Sequence, residues 1–372
     1  MKTSPASIFL SAGDPSGDIA GSLLISELIG TGNRLEFFGL GGRRMKEAGQ
    51  MQIVEGDRLA VLGFWEVIKK FAFFRRLLID TTRMIEKKRP AVVVLIDYPG
   101  FNLRLAERIR PLGIPVVYYI SPQIWAWGAG RLKKIGALVD KMLLILPFEK
   151  DIYDRAGVAN ELVGHYLLDD IPDEFIRADY DPASNLILLM PGSRPQEVQR
   201  MLPTLLATAE IMARKGSWRF AVAGLAGDID YGQYLAESPL DIDLVLGRTR
   251  EMIAQSRLVI TSSGTATLEV GIIGRPMVVI YKTSLLTYLI ARRLVRLDEI
   301  ALINIAAGKM IVPELIQYKA TPTGIAAAAE SFLKNADRVG RVIGQLHEVA
   351  DILGSRGCSA RAAAIIGAYL PC

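Results

Sequence analysis

The stretch Ala-Val-Val-Val-Leu-Ile at Ala91–Ile96 constrains the fold more than any other part of this sequence. It is an unbroken apolar run, rich in β-branched residues. Such a run suits a strand buried on both faces, because a half-exposed strand would alternate apolar and polar residues. It stops at Asp97-Tyr98-Pro99-Gly100, a turn signature. A strand of this kind needs helices on both sides of its sheet, which points to a parallel α/β architecture. Similar runs lie at Ser7–Ala12, Leu35–Leu40, Val116–Ile120 and Met142–Leu146. Helical segments are expected at Ile19–Leu28 and Asn102–Ile109.

The same grammar restarts near residue 185. Leu186–Met190, Phe220–Ala223, Leu244–Leu246, Leu258–Thr261 and Met277–Tyr281 read as strands, with a helix over Val198–Lys215. The tail Pro322–Leu370 is Ala-rich and helical in pattern. At 372 residues the chain has room for two domains. We place the first at 1–168 and the second at 185–345, with Asp169–Ser184 as a linker rich in Asp and Pro.

Mean hydropathy is +0.28, high for a soluble protein. Yet no window of about 18–20 residues is continuously apolar. Asp97 ends the run at Ala91–Ile96, and Lys141 and Glu149 bound Met142–Phe148. Met1–Gly13 makes a poor signal peptide, so a cytoplasmic chain without a spanning helix is expected. The two cysteines, Cys358 and Cys372, cannot staple a chain this long. With only two histidines beside them, a Cys/His zinc site is rejected. The net charge of +5 fits acidic substrates, anionic lipid or nucleic acid and chooses none of them.

Four strand-end segments carry the chemistry. Gly13-Asp14-Pro15-Ser16-Gly17-Asp18 lies between a strand and a helix. Amides at such a start hold an anion or a sugar hydroxyl. The same residues also make a tight turn with a helix N-cap, and both readings stay open. The pattern is not G-x-G-x-x-G, and Phe37-Phe38-Gly39-Leu40 ends the second strand without an acid, which argues against a dinucleotide site. Asp97 ends the strongest strand, where open α/β sheets hold ligands. A carboxylate there is placed for a raised pKa and for work as a base, or else it caps the helix Asn102–Ile109.

In the second half, Pro191–Glu197 brings Ser193 and Arg194 to a strand end, where amides and a guanidinium suit a diphosphate. Ser262–Glu269 places Ser263, Gly264 and Thr265 at a helix N-terminus and Glu269 about one turn on, where it suits two ribose hydroxyls. The two loops together read as a nucleotide site. Gly63–Lys88 interleaves Phe64, Trp65, Phe71, Phe73 and Phe74 with Lys69, Lys70, Arg75 and Arg76. Leu285–Arg296 adds Arg292, Arg293 and Arg296. These stretches fit a membrane-surface or lipid contact, but a core helix with a basic outer face is the commoner explanation of such a pattern. Large apolar residues interrupt the cations, so nucleic acid is not expected as a partner. His165 sits near the linker, and His347 is expected to be structural.

Taken together, these segments resemble the lipid-A-disaccharide synthase family. The carrying stretches are Ala12–Asp18, Ile96–Asn102, Tyr119–Trp127 with its Ser-Pro-x-x-Trp-Ala-Trp core, Leu146–Lys150, Val163–His165, Pro191–Val198, Ser263–Glu269 and Leu302–Lys309. The resemblance implies a GT-B fold: two Rossmann-like parallel-sheet domains facing a cleft, with a C-terminal helix at 346–372 returning to the first. It implies condensation of UDP-2,3-diacylglucosamine with 2,3-diacylglucosamine 1-phosphate to a β-1,6-linked disaccharide, inverting, with UDP leaving. Asp97 matches the family's proposed base, and Arg194 and Asn304 match its functional arginine and asparagine. UDP would sit against Ser193, Arg194, Ser263, Gly264, Thr265 and Glu269.

The resemblance puts the acceptor sugar near Gly13, Asp14, Ser16, Gly17, Asp18, Ser121 and Trp125. Lipid contacts fall to Phe64, Trp65, Phe71, Phe74, Arg292 and Arg293. No cofactor and no obligatory metal are expected, and the partners are the two acylated sugars and the inner face of the inner membrane. The oligomeric state is left open. Asp14 stands where the family usually has Glu, Gly100 where a second Asp is common, Gly128-Ala129-Gly130 where the segment is more basic, and Lys309 where Arg is usual. Two other classes compete. One is a different UDP-sugar GT-B enzyme, such as a cell-wall N-acetylglucosaminyltransferase or an epimerase. The other is a non-catalytic peripheral lipid-binding protein.

Overall fold

The computed structural model describes residues 5–54, 71–123, 132–225, 227, 229–284, 288 and 299–371, apart from the side chain of Phe71. The chain divides into two compact units. One is Met1–Asp170 with Leu353–Cys372, the other Ile171–Ile352.

In the first unit the strands are β1 (Ala6–Ser11), β2 (Leu35–Leu40), β3 (Gln50–Gln52), β4 (Val92–Ile96), β5 (Val116–Tyr119), β6 (Lys141–Leu144) and β7 (Asn160–Leu162). Their order across the sheet is β3-β2-β1-β4-β5-β6-β7, and every neighbouring pair is parallel. The helices between them are α1 (Pro15–Gly30), α2 (Arg43–Glu47), α3 (Phe71–Lys88), α4 (Pro99–Ile109), α5 (Leu132–Leu138), α6 (Pro147–Arg155) and α7 (Leu167–Asp170). Every residue of β4 is buried, alternate side chains facing opposite layers. Val93 and Leu95 join Phe9, Leu105, Tyr118 and Tyr153 in one core cluster. Burial on both faces is the reason that strand carries no polar position.

The second unit holds β8 (Leu186–Met190), β9 (Arg219–Gly224), β10 (Ile242–Leu246), β11 (Leu258–Ser262), β12 (Met277–Tyr281) and β13 (Glu314–Ile316). Their order is β10-β9-β8-β11-β12-β13, again parallel throughout. Its helices are α8 (Pro195–Ala213), α9 (Gly232–Leu235), α10 (Thr249–Gln255), α11 (Thr265–Ile273), α12 (Leu302–Ala307), α13 (Pro322–Leu333) and α14 (Ala336–Ile352). Helix α15 (Cys358–Gly367) packs on α1 of the first unit. Each sheet is thus doubly wound, with the winding reversing between β1 and β4 in one and between β8 and β11 in the other. Those reversal points are where such sheets open a crevice for ligands.

Several expectations shift. Helices α1, α4 and α8 each begin on a proline, three or four residues before the expected starts at Ile19, Asn102 and Val198. Proline suits the first helical position because its missing N–H has no intrahelical partner there. The strands β3, β7 and β13 are three-residue edge strands reading Gln-Met-Gln, Asn-Glu-Leu and Glu-Leu-Ile, with no apolar run to betray them. The expected linker 169–184 is packed on both sides of the unit boundary. The Asp169 carboxylate accepts from Gly357 N at 2.6 Å and Ser359 N at 2.7 Å, capping the start of α15. Buried Arg275 donates to the Ala178 and Asp179 carbonyls. The return to the first unit begins at Leu353 rather than 346, because Leu346, Val349 and Ala350 are buried on α14 within the second unit.

Candidate active site

At the reversal point of the first sheet, the ends of β1 and β4 are tied by one side chain. Asn102 is fully buried. Its Nδ2 donates to the carbonyls of Asp97 (2.8 Å), Ile96 (3.2 Å) and Ser11 (3.2 Å), and its Oδ1 accepts from Ser11 Oγ at 2.6 Å. The Asp97 carbonyl also accepts from Tyr118 Oη at 2.6 Å, and the Asp97 N–H donates to the Tyr119 carbonyl at 2.9 Å. Backbone strain is concentrated here. Asp97 (φ 43°), Tyr98 (φ 48°) and Ile120 (φ 67°) are all left-handed without being glycine. Each such residue costs about 1–3 kcal/mol and persists only where its surroundings over-determine it. The N-cap of α4 is Tyr98, which makes no side-chain capping bond. Asp97 is half-buried at a strained corner whose backbone is clamped from two sides.

The loop facing it is partly committed to local structure. Asp14 is the N-cap of α1, its Oδ1 accepting from Gly17 N at 2.7 Å and Ser16 Oγ at 3.0 Å. Gly13 is obligatory: a Cβ there would lie 2.4 Å from the Tyr98 ring. Burial, aided by the charge of Asp14, pushes the Tyr98 hydroxyl up to about 12. Asp18 accepts from the backbone N–H groups of Gly42 (2.8 Å), Arg44 (2.9 Å) and Met45 (3.0 Å). Its carboxylate therefore holds the start of α2, which corrects its assignment to the acceptor sugar. Ser121 is likewise buried, donating to the Pro122 carbonyl at 2.9 Å and accepting from Tyr153 Oη at 2.8 Å. His165 is buried and neutral. Leu167 N donates to its Nδ1 at 3.2 Å, and desolvation lowers its pKa to about 3.

At the reversal point of the second sheet, glycine supplies the unusual backbone. Gly192 has φ 116° and Gly264 φ 147°. The amides of Ser193 and Arg194 donate to Glu197 Oε2 at 3.0 and 3.3 Å. The Arg194 guanidinium reaches the same carboxylate only at 3.4 Å and keeps about a third of its surface exposed. Gly264 caps α11, whose first residue is Thr265. Ser263 Oγ donates to the Ile300 carbonyl at 3.0 Å. Glu269 is paired with Arg250 Nε at 2.7 Å, both about one-fifth exposed. Asn304 needs correction. It is fully buried, its Nδ2 donating to Val312 O (2.9 Å) and Glu314 Oε1 (2.7 Å), its Oδ1 accepting from Ile311 N (2.8 Å) and Val312 N (3.0 Å). An amide with both donors and its acceptor committed cannot also contact substrate; it fixes the turn between α12 and β13.

The geometry thus brings Gly13, Asp14 and Asp97 together in one unit, and Ser193, Arg194, Ser263, Gly264, Thr265 and Glu269 onto neighbouring strand ends of the other. Trp125, Phe64, Trp65, Arg292 and Arg293, with the Phe71 side chain, lie outside the described residues. Phe74 is half-buried and packs, with Phe73, against the first unit's core. Sequence reasoning gave no role to Asn102, Tyr118 or Arg250. A polar residue buried at the end of an apolar strand, or one helical turn past it, is the signal that marks the first two.

A chain of two doubly wound parallel sheets, each presenting loops at its reversal point, has the two Rossmann-like domains of the GT-B class. Solved structures share the fold. The glycotransferase of kitacinnamycin aligns over 99% of this chain and 100% of its own, with TM-score 0.63 and 17% identity. A putative UDP-N-acetylglucosamine 2-epimerase from Listeria monocytogenes aligns over 99% and 97%, with TM-score 0.67 and 12% identity. The sequence matches the family model described as lipid-A-disaccharide synthetase over residues 8–366. Curated lipid-A-disaccharide synthases from Geobacter metallireducens and Anaeromyxobacter sp. (strain K) are 38% and 41% identical, covering 98% and 96% of this chain and 98% and 95% of theirs. The chain belongs to the lipid-A-disaccharide synthase family, glycosyltransferases of lipid A biosynthesis.

Proposed function

We propose that this protein condenses UDP-2,3-diacylglucosamine with 2,3-diacylglucosamine 1-phosphate, giving the β-1,6-linked disaccharide 1-phosphate and UDP. The observation that supports it most is Asp97 itself. It is a carboxylate at the carboxyl end of a fully buried strand, with its carbonyl held by Asn102 and Tyr118. In this reading the Asp97 carboxylate takes the proton of the acceptor's 6-hydroxyl as that oxygen attacks the anomeric carbon. The bond to UDP breaks with its electron pair going to the diphosphate, and attack from the opposite face inverts the centre. A positioned base of this kind is worth about two to four decades.

The leaving diphosphate needs positive charge. Arg194 and the N-terminal amides of α11 would supply it, with no metal invoked. The Ser193 and Arg194 amides contribute only if Glu197 gives them up, since it holds both. Glu269 would turn from Arg250 toward the ribose, or share it. Among the described residues no helix is long and apolar enough to cross a membrane. Acylated substrates therefore imply that the enzyme meets a membrane surface from one side, through the aromatic and basic stretches at 63–88 and 285–296.

The test is UDP release from UDP-diacylglucosamine with and without the acylated glucosamine 1-phosphate. Release only with the acceptor supports transfer. Release without it points to hydrolysis or epimerase chemistry, and no release at all points to a binder.

A further inference from the structure

The surface of the second unit carries an open depression of about 230 Å³ lined by exposed Arg200 and half-buried Lys282, Thr283 and Gln317. It lies just past the carboxyl ends of β12 and β13, which stop at Tyr281 and Ile316, beside the early turns of α8. Two of the described residues lining it are cations. Lys282 Nζ donates to a neutral hydroxyl, Thr204 Oγ1, at 2.8 Å. An ammonium carries three donors, and neither Lys282 nor Arg200 has a carboxylate partner among the described residues. The desolvation that surrounds Lys282 lowers its pKa. Arg200 and Arg194 both lie within electrostatic reach of the Tyr281 hydroxyl, with Glu197 the acid nearby. Glu197 acts on that hydroxyl more strongly than either arginine, and it is paired with Arg194, which leaves Arg200 and Lys282 as the cations without an acid at this place among the described residues.

One side of the depression is held by side-chain bonds. Gln317, itself left-handed at φ 53°, grips the backbone of Thr283 twice. Its Oε1 accepts from Thr283 N at 2.7 Å and its Nε2 donates to Thr283 O at 3.0 Å. The volume falls below the range of about 300–1,000 Å³ that holds a whole small molecule, so it suits one group of a larger substrate. Guanidinium and ammonium donors on one side-chain-lined space match the oxygens of a phosphoryl group. The anionic groups of the two substrates proposed above are phosphates.

We propose that Arg200 and Lys282 form a phosphate subsite that takes a phosphoryl group of one of the two substrates, the donor's diphosphate or the acceptor's 1-phosphate. The proposal rests on the transferase reading and extends it to residues outside the Arg194 and Ser263 loops.

The experiment uses the full chain with Arg200→Gln, Lys282→Met and Lys282→Arg. Titration with UDP reads the donor source. Initial rates against the acylated glucosamine with and without its 1-phosphate read the acceptor source. If the diphosphate sits here, UDP affinity falls about tenfold or more in the two charge-removing variants and largely recovers in Lys282→Arg. If the 1-phosphate sits here, KM rises about tenfold for the phosphorylated acceptor and stays level for the acceptor lacking phosphate. Wild-type UDP affinity and wild-type KM in both variants, with unchanged melting, overturn the subsite. Absence of any UDP release by the wild-type protein would instead overturn the transferase reading, so the two failures are distinct.

Discussion

The two sheets reverse their winding in the same way, yet they hold their strand ends by opposite means. In the first, the left-handed corner belongs to Asp97 and Tyr98, with Ile120 alongside at the end of β5. In the second, Gly192 and Gly264 take the positive angles. Glycine adopts such angles without steric cost, whereas a side-chain-bearing residue costs about 1–3 kcal/mol. A loop that offers backbone amides to a phosphate gains from glycine, because the ligand comes close to the chain. A loop that must aim one carboxylate cannot use glycine, and it needs a clamp. Asn102 and Tyr118 are that clamp, both bonded to the Asp97 carbonyl. The strain and the buried clamp mark the first corner as the place where a particular side chain matters, and the second as the place where the backbone does.

That contrast breaks most visibly at Asp97. Asp97→Asn is expected to lower kcat by about two to four decades while UDP affinity and melting stay level. Turnover within about threefold of wild type would remove the base role and with it the reason for the clamp. The complementary change is Arg194→Ala. It should weaken UDP binding by about one to two decades, the worth of a charge-assisted contact to phosphate, with Glu269→Ala following by a smaller factor. Unchanged UDP affinity in both variants would place the nucleotide away from the second reversal point.

A third change tests the clamp itself. Tyr118→Phe removes one of the two bonds to the Asp97 carbonyl and leaves Asn102 in place. The corner should loosen without collapsing, so kcat is expected to fall about three- to tenfold with KM for both substrates unchanged. A drop in melting temperature with normal kcat would make Tyr118 a packing residue only.

Most of the architecture was legible because it rests on burial. The run Ala91–Ile96 announced a strand covered on both faces, and Leu186–Met190 announced the second start. The edge strands were not legible, since Gln50–Gln52 and Asn160–Leu162 are held by pairing to neighbours and carry no apolar pattern. At the site, motif position located the loops but not the partners of each side chain. Asp18 read as an acceptor contact from its place in a glycine-rich strand-end loop, and Asn304 as a functional residue only through the family resemblance. The structure gives Asp18 to backbone N–H groups of residues 42–45, and Asn304 to the backbone of Ile311 and Val312 and the carboxylate of Glu314. Such long-range hydrogen bonds leave no periodic trace in one sequence. Asn102 is the converse, a clamp hidden one turn into a helix that looked ordinary.

The smallest expected effect concerns the lipid surface, and it turns on the outer side of α3. Phe74 is half-buried against the first unit's core, so little of its apolar area remains to enter a bilayer. Arg75 and Arg76 are exposed, Arg76 sharing a loose contact of 3.8 Å with the less exposed Asp80. Each cation near an anionic surface is worth about 1 kcal/mol before screening, and less where an acid already partners it. Co-sedimentation with anionic vesicles at low salt should therefore fall only about threefold in Arg75→Ser/Arg76→Ser and vanish into the background at high salt. Phe74→Ser should change vesicle binding less than about twofold while lowering the melting temperature by about 2–4 °C for each kcal/mol of packing lost. The opposite pattern, strong loss of vesicle binding with an unchanged melting temperature in Phe74→Ser, would mean that the ring serves the membrane and not the core. The first unit would then meet lipid through apolar insertion rather than through charge.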